Sequence, residues 1–218
     1  MRNFSLKKKN RADDEQDDED FEYGSQLGRN LFVNVKKYYS FDYHMDESIG
    51  NKSDFRRLLQ LIYNMTDEDS LRLFIGGPGG NIDTLLEIIN AIDYCKGRVF
   101  AVLTGEASSA HSILALAVSE LQVCARGRLM IHNASIDASG KTQEAASSLN
   151  AGIKVCHDLF KEFYTGFLTE QEMQDLLIGK DFHMAAPEIL KRLKKRAEYR
   201  KLTGKPLKSG VKQGVIRS

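Results

Sequence analysis

Hydrophobic residues along the chain follow two rhythms. From Ser53 to Met65, the residues Phe55, Leu58, Leu59, Ile62 and Met65 recur at helical spacing, with Ser53 placed to cap the start. "LRLFI" (71–75) reads as a short strand running into "GGPGG" (76–80). Beyond it Ile82, Leu85, Leu86, Ile89 and Ile92 share one face of a helix that Gly97 closes. The alternation then repeats, with "RVFAVL" (98–103) a strand, "TGEAS" a turn and 109–120 an apolar helix. Strands are expected over 121–125 and 128–132. After the polar loop "NASIDASGKTQ", helices are expected over about 144–164 and 169–178. Gly179 ends the last of these, and Pro187 sits where the first turn of another begins. Upstream, "NLFVNV" (30–35) reads as the strand that opens the folded region. Strands recurring with intervening helices indicate an α/β domain built of stacked strand–strand–helix units.

Charge divides the chain further. Residues 13–20, "DDEQDDED", hold seven acids and no base, and from Lys191 onward eleven Lys or Arg face one acid, Glu198. The expected organisation is a flexible acidic leader over 1–28, one folded domain over 29–200 and a basic flexible tail over 201–218. A net charge of +1 gives the whole molecule no general attraction for nucleic acid or a membrane surface. Cys95, Cys124 and Cys156 are far apart and form no Cys-x-x-Cys pair, which suits a reducing compartment. The basic start "MRNFSLKKKNR" is followed by no apolar stretch, which excludes an ordinary secretory signal. The longest apolar run, "ILALAV" (113–118), is far short of the ~18 residues a membrane span needs. A cytoplasmic protein is expected.

Two short segments could carry chemistry. "GGPGGN" (76–81) joins a strand to a helix N-terminus, where exposed amides meet the positive end of the helix dipole. It lacks both the Gly-Lys-Ser/Thr ending and the G-x-G-x-x-G spacing of nucleotide loops, so the remaining readings are an oxyanion hole or a plain tight turn. "TGEASSAHSI" (104–113) puts two serines among small residues at a helix start. One serine can cap the helix while the other stays free to act as a nucleophile. A nucleophilic serine needs a base and a group that orients the base. Of the five histidines, His111 follows Ser109 by two residues on the same helix and points away from it, and His157 lies mid-helix. His132 ends a strand, "RLMIH", ahead of a polar loop, where α/β proteins gather catalytic groups. Asp181, between two helices, is placed to orient an imidazole or to serve as an ordinary turn residue.

Taken in order, "GPGG" (77–80), "GEASS" (105–109), "MIHN" (130–133) and "DFHMAAPE" (181–188) resemble the proteolytic subunit of the Clp protease, a serine peptidase family. That family shows Ser-Pro-Gly-Gly, Gly-x-Ala-x-Ser, Met-Ile-His-Gln and an Asp six residues before Pro-Glu. The resemblance covers about 71–188 and implies a ClpP/crotonase-like α/β fold. Carried over by position, it makes Ser109 the nucleophile, His132 the general base and Asp181 the orienting acid. The backbone amides of Gly80 and Ala110 become the oxyanion hole. It implies protein or peptide substrates, a homo-oligomeric ring in which the helix at 144–164 forms the ring-to-ring handle, and an AAA+ unfoldase partner. It implies no metal and no cofactor. Divergent chains of this kind also resemble phage-encoded relatives that mature capsids, which would make capsid proteins the partners and the host cytoplasm the setting. The sequence departs from the pattern at Gly77 (Ser in the family), Ala110 (Met), His111 (Gly) and Ala134 (Pro). The family's Tyr-Gly-Leu-Ile/Val-Asp after Pro-Glu is replaced by "ILKRLKKRAEYRK". The alternatives are a crotonase-type acyl-CoA enzyme, whose amide pairs stabilise enolates, and a catalytically inactive assembly subunit of the same fold.

Overall fold

The computed structural model describes residues 38–135 and 140–204. The expected strand at 30–35, the leader and most of the tail lie outside the described residues. Within them are seven strands and six helices. These are β1 (Ser40–Met45), α1 (Arg56–Asn64), β2 (Ser70–Ile75), α2 (Ile82–Tyr94), β3 (Arg98–Leu103), β4 (Glu106–Ser108) and α3 (Ala110–Ala117). They continue with β5 (Leu121–Val123), β6 (Arg128–Ile131), α4 (Thr142–Tyr164), α5 (Glu170–Leu177), β7 (Phe182–Ala185) and α6 (Ala186–Thr203). Two sheets result. One is all parallel, in the order β1-β2-β3-β5; the other runs β4-β6-β7, its first pair parallel and its second antiparallel.

The core is set by the same periodicities that the sequence displays. Leu71, Leu73 and Ile75 alternate inward along β2, and Leu85, Ile88, Ile89 and Ile92 bury one face of α2. Asn81 starts α2, its side chain accepting the Thr84 N–H at 2.9 Å. At the first helical segment Ser53 does not cap. It lies inside a 3-10 turn, Lys52–Phe55, whose entry is tied by the Asn51 N–H donating to Asp54 Oδ2.

The α3 helix runs through the middle of the core. Every residue from Ala110 to Ala117 is buried, His111 and Ser112 included. Side chains of α4 and α6 tie down its two ends. At the N-terminus the Ser112 hydroxyl donates to the Ser109 carbonyl (2.6 Å) and shares a hydrogen bond with the Tyr164 hydroxyl of α4 (2.8 Å). At the C-terminus the buried Arg196 of α6 donates to the Leu116 carbonyl (2.9 Å). A cation is favoured there by the helix dipole. Burial, with help from the charge of Arg200, pulls the Arg196 guanidinium down to about 9, so it stays ionised at neutral pH. Long connections thus anchor a short helix at both ends.

Candidate active site

Ser109 occupies the junction of β4 and α3 with φ 55° and ψ −123°, and no other non-glycine residue described has a positive φ. A three-residue strand must turn at once into a buried helix, and that demands a backbone conformation that only glycine adopts freely. The expectation that a serine caps α3 fails: Ser109 stands at the N-cap position, but its side chain makes no capping bond. Ser108 does not cap either. Its hydroxyl donates to Glu106 Oε1 (3.1 Å), while Arg128 Nε donates to Glu106 Oε2 (2.9 Å). These contacts, the arginine's first, hold the Glu106 carboxyl below its ordinary range. One serine is therefore committed to a carboxylate, and the hydroxyl of its neighbour is left uncommitted among the described residues.

The segment "TGEAS", read from sequence as a turn, contains β4, and the segment around Asp181, read as a link between helices, runs into β7. These two short strands assemble the site. Ser108 pairs with Met130 across the parallel β4–β6 ladder, and the Ser109 N–H donates to the Met130 carbonyl at 2.9 Å. On the other side of β6, Ile131 pairs with Phe182 in the antiparallel β6–β7 ladder. His132 is the first residue after β6 and Asp181 the last before β7, so both leave the ladder at the end where Ile131 and Phe182 pair. Ser109, His132 and Asp181 thus follow or precede the ends of three adjacent strands along one edge of the small sheet. Ser109 and His132 are half-buried and Asp181 is exposed. Among the described residues no hydrogen bond joins the three side chains. Asp137, a second acid in the loop after His132, lies outside the described residues.

The glycine-rich loop lies directly against Ser109. A Cβ at Gly79 would come within 2.6 Å of the Ser109 Cβ, so only glycine permits this approach. Gly79 and Gly80 both have positive φ, 103° and 138°. The Ile49 N–H donates to the Gly79 carbonyl (2.7 Å), and the Asn81 N–H donates to the Ile49 carbonyl (2.7 Å). In a trans peptide the C=O and N–H point in opposite directions. With the Gly79 carbonyl turned toward Ile49, the Gly80 N–H of the same peptide points away from it. Neither the Gly80 nor the Ala110 N–H has a partner among the described residues.

A family model described as Clp protease matches residues 44–191, about two thirds of the chain. The chain belongs to the Clp protease family. Its mixed α/β architecture with a parallel sheet is that of the ClpP/crotonase class. It is similar to the ATP-dependent Clp protease proteolytic subunit of Deinococcus radiodurans, at 26% identity over 137 residues. That match spans 61% of this chain and 66% of the relative. The matched region contains every element that carries the site, from Ile49 to Asp181. Two features of this Clp-family chain were not found by the sequence reasoning. One is the Glu106–Arg128 pair that occupies Ser108. The other is His111, whose buried Nδ1 accepts the Gly79 N–H at 2.8 Å. A signal for the second existed: glycine replaces a larger residue at 77 while histidine replaces glycine at 111.

A cavity of about 380 Å³ adjoins the site, lined by Asn133 and Ala134 after His132, Leu149, Ile153, Cys156 and His157 of α4, and Leu177 of α5. That volume falls in the lower part of the roughly 300–1,000 Å³ range of small-ligand sites. Its walls mix polar and apolar groups, Asn133 and His157 among the aliphatic side chains. No helix among the described residues is long and apolar enough to cross a membrane.

Proposed function

We propose that this chain is a serine-type endopeptidase in which Ser109 is the nucleophile, His132 the general base and Asp181 the acid that orients it. The observation that carries the reading is the backbone of Ser109. A strained, positive-φ serine, with a free hydroxyl next to a serine whose hydroxyl is held by Glu106, is costly to keep for packing alone. In the proposed cycle the neutral His132 takes the Ser109 proton as Oγ attacks the peptide carbonyl carbon. The tetrahedral oxyanion is met by the Gly80 and Ala110 N–H groups, which need no reorganisation as charge develops. His132 returns the proton to the leaving amine, and the C–N bond breaks to leave an acyl-serine. Water, deprotonated by His132, then attacks the ester and releases the acid with the serine restored. The missing hydrogen bonds between the three side chains are compatible with this, since such bonds often tighten only when substrate is bound.

The cavity beside His132 offers a place for a substrate side chain next to the scissile bond. Leu149 and Ile153, one turn apart on the same face of α4, are exposed. That apolar edge supports burial of α4 against another copy, in a homo-oligomeric ring. Protein substrates and an ATP-driven AAA+ unfoldase partner follow by likeness to the ATP-dependent relative, and a role in capsid maturation is the phage-type form of the same proposal. A fluorophosphonate probe tests the chemistry. Wild type and Ser108→Ala should label and Ser109→Ala should not. Labelling that survives Ser109→Ala but not Ser108→Ala would move the nucleophile by one residue. No labelling of folded wild type would favour the inactive assembly subunit.

A further inference from the structure

His111 is fully buried in the first turn of α3, yet it serves neither the core nor the helix. Its ring reaches back to the glycine-rich loop, 32 residues earlier in the chain, and Nδ1 accepts the Gly79 N–H at 2.8 Å. An imidazole nitrogen that accepts a hydrogen bond carries no proton, so the ring is the neutral form with its proton on Nε2. Nε2 is buried and has no partner among the described residues. An orphaned buried N–H costs about 1–3 kcal/mol, so the ring occupies this position in spite of that loss. Its space exists only because residue 77 is glycine: a Cβ there would lie 2.6 Å from Cε1 and 2.8 Å from Nε2. Burial is the main influence on the ring and keeps it neutral, with Asp46 the charged group that opposes this.

The consequence concerns the two peptides that precede Asn81. The Gly79–Gly80 peptide is held by the Ile49 N–H on its carbonyl. The Pro78–Gly79 peptide has one anchor described, His111. Glycine at 79 leaves φ and ψ nearly free, and a flip on its N-terminal side shifts everything the loop presents to Ser109. We propose that His111 is a positioning residue for the oxyanion site, its Nδ1 lone pair fixing the Pro78–Gly79 peptide so that the Gly80 N–H faces the space in front of Ser109. The proposal rests on the peptidase reading above. It adds that Gly79 cannot itself be an oxyanion donor, because its N–H is spent on the ring.

Two substitutions separate acceptor from packing. His111→Leu roughly keeps the ring's volume but removes the acceptor, whereas His111→Asn loses volume but retains an oxygen close to where Nδ1 stood. Positioning predicts that Leu lowers kcat for a short chromogenic peptide by about 10–100-fold. That is less than the roughly 10²–10³ for deleting an oxyanion donor outright. KM should move less than about threefold, because the interaction matters in the transition state. Asn should recover most of kcat even if it is the less stable variant. A merely structural role predicts the opposite order, with activity following thermal stability; Leu equal to or better than Asn overturns the proposal. Should the Leu variant fail to fold, the ¹⁵N chemical shifts of the wild-type His111 ring decide. A bare Nδ1 and a protonated Nε2 at neutral pH are expected, and a proton on Nδ1 overturns the assignment. Fluorophosphonate labelling of wild type is run alongside. Its absence removes the peptidase reading and this inference together, whereas labelling with no difference between Leu and Asn removes this inference alone.

Discussion

Replacing Ser109 by glycine should make the protein more stable while removing its nucleophile. Ser109 holds φ 55° and ψ −123°, a region that side chains other than glycine's occupy at a cost of about 1–3 kcal/mol. Glycine removes that cost but loses more backbone freedom on folding, about 0.5–1 kcal/mol. No capping hydrogen bond disappears with the side chain, because Ser109 makes none. The net gain is up to about 2.5 kcal/mol, or a rise of up to ~10 °C in Tm for a domain of this size. Ser109→Ala is the control: it keeps Cβ, and with it the strain, so its Tm should stay within about 1 °C of wild type. Differential scanning calorimetry at one fixed protein concentration makes the comparison, since association would make Tm concentration-dependent. A Gly variant no more stable than the Ala variant would refute the claim that this backbone is strained. It would also remove the argument that the strain is kept for chemistry.

Three further outcomes are expected. Burial holds the His111 imidazole down to about 4, against about 6.5 in an unfolded chain, so the unfolded state protonates first as pH falls. Its stabilising contribution is whole above about pH 6.5 and is lost towards pH 4, by up to about 3 kcal/mol; urea titrations at pH 7.5 and 4.5 should show a shallower pH dependence in His111→Asn, and identical slopes would contradict this. Gly77→Ala places a methyl 2.6 Å from the His111 ring and should cost ~1–3 kcal/mol, most of it recovered in the Gly77→Ala/His111→Gly double variant. Strict additivity in that cycle would mean the two positions do not share space. Asp181→Asn should lower kcat by at least about a hundredfold with a smaller change in KM, because an amide in place of the orienting acid favours the wrong tautomer of His132. Near-normal turnover would take Asp181 out of the site and make Asp137 the next acid to substitute.

Much of the architecture was legible because it rests on periodicity. The α2 helix is written in the 3.6-residue recurrence of Leu85, Ile89 and Ile92, and β2 in the alternation of Leu71, Leu73 and Ile75. Ordered short motifs were enough to reach the family and to nominate Ser109, His132 and Asp181. What stayed hidden was whatever has no period of its own. A three-residue strand such as β4 repeats nothing, and β7 shows its strand character only in its pairing with β6. The partition into two sheets, which brings the ends of β6 and β7 that His132 and Asp181 flank to the same edge, comes from that pairing. His111 shows the division most plainly. Helical geometry alone says only that its side chain does not share a face with Ser109. Where the ring arrives instead depends on the packing of a buried helix against a loop 32 residues away, and on a glycine that leaves room for it. Local spacing decides which face a side chain leaves from, while non-local hydrogen bonds and excluded volume decide what it meets.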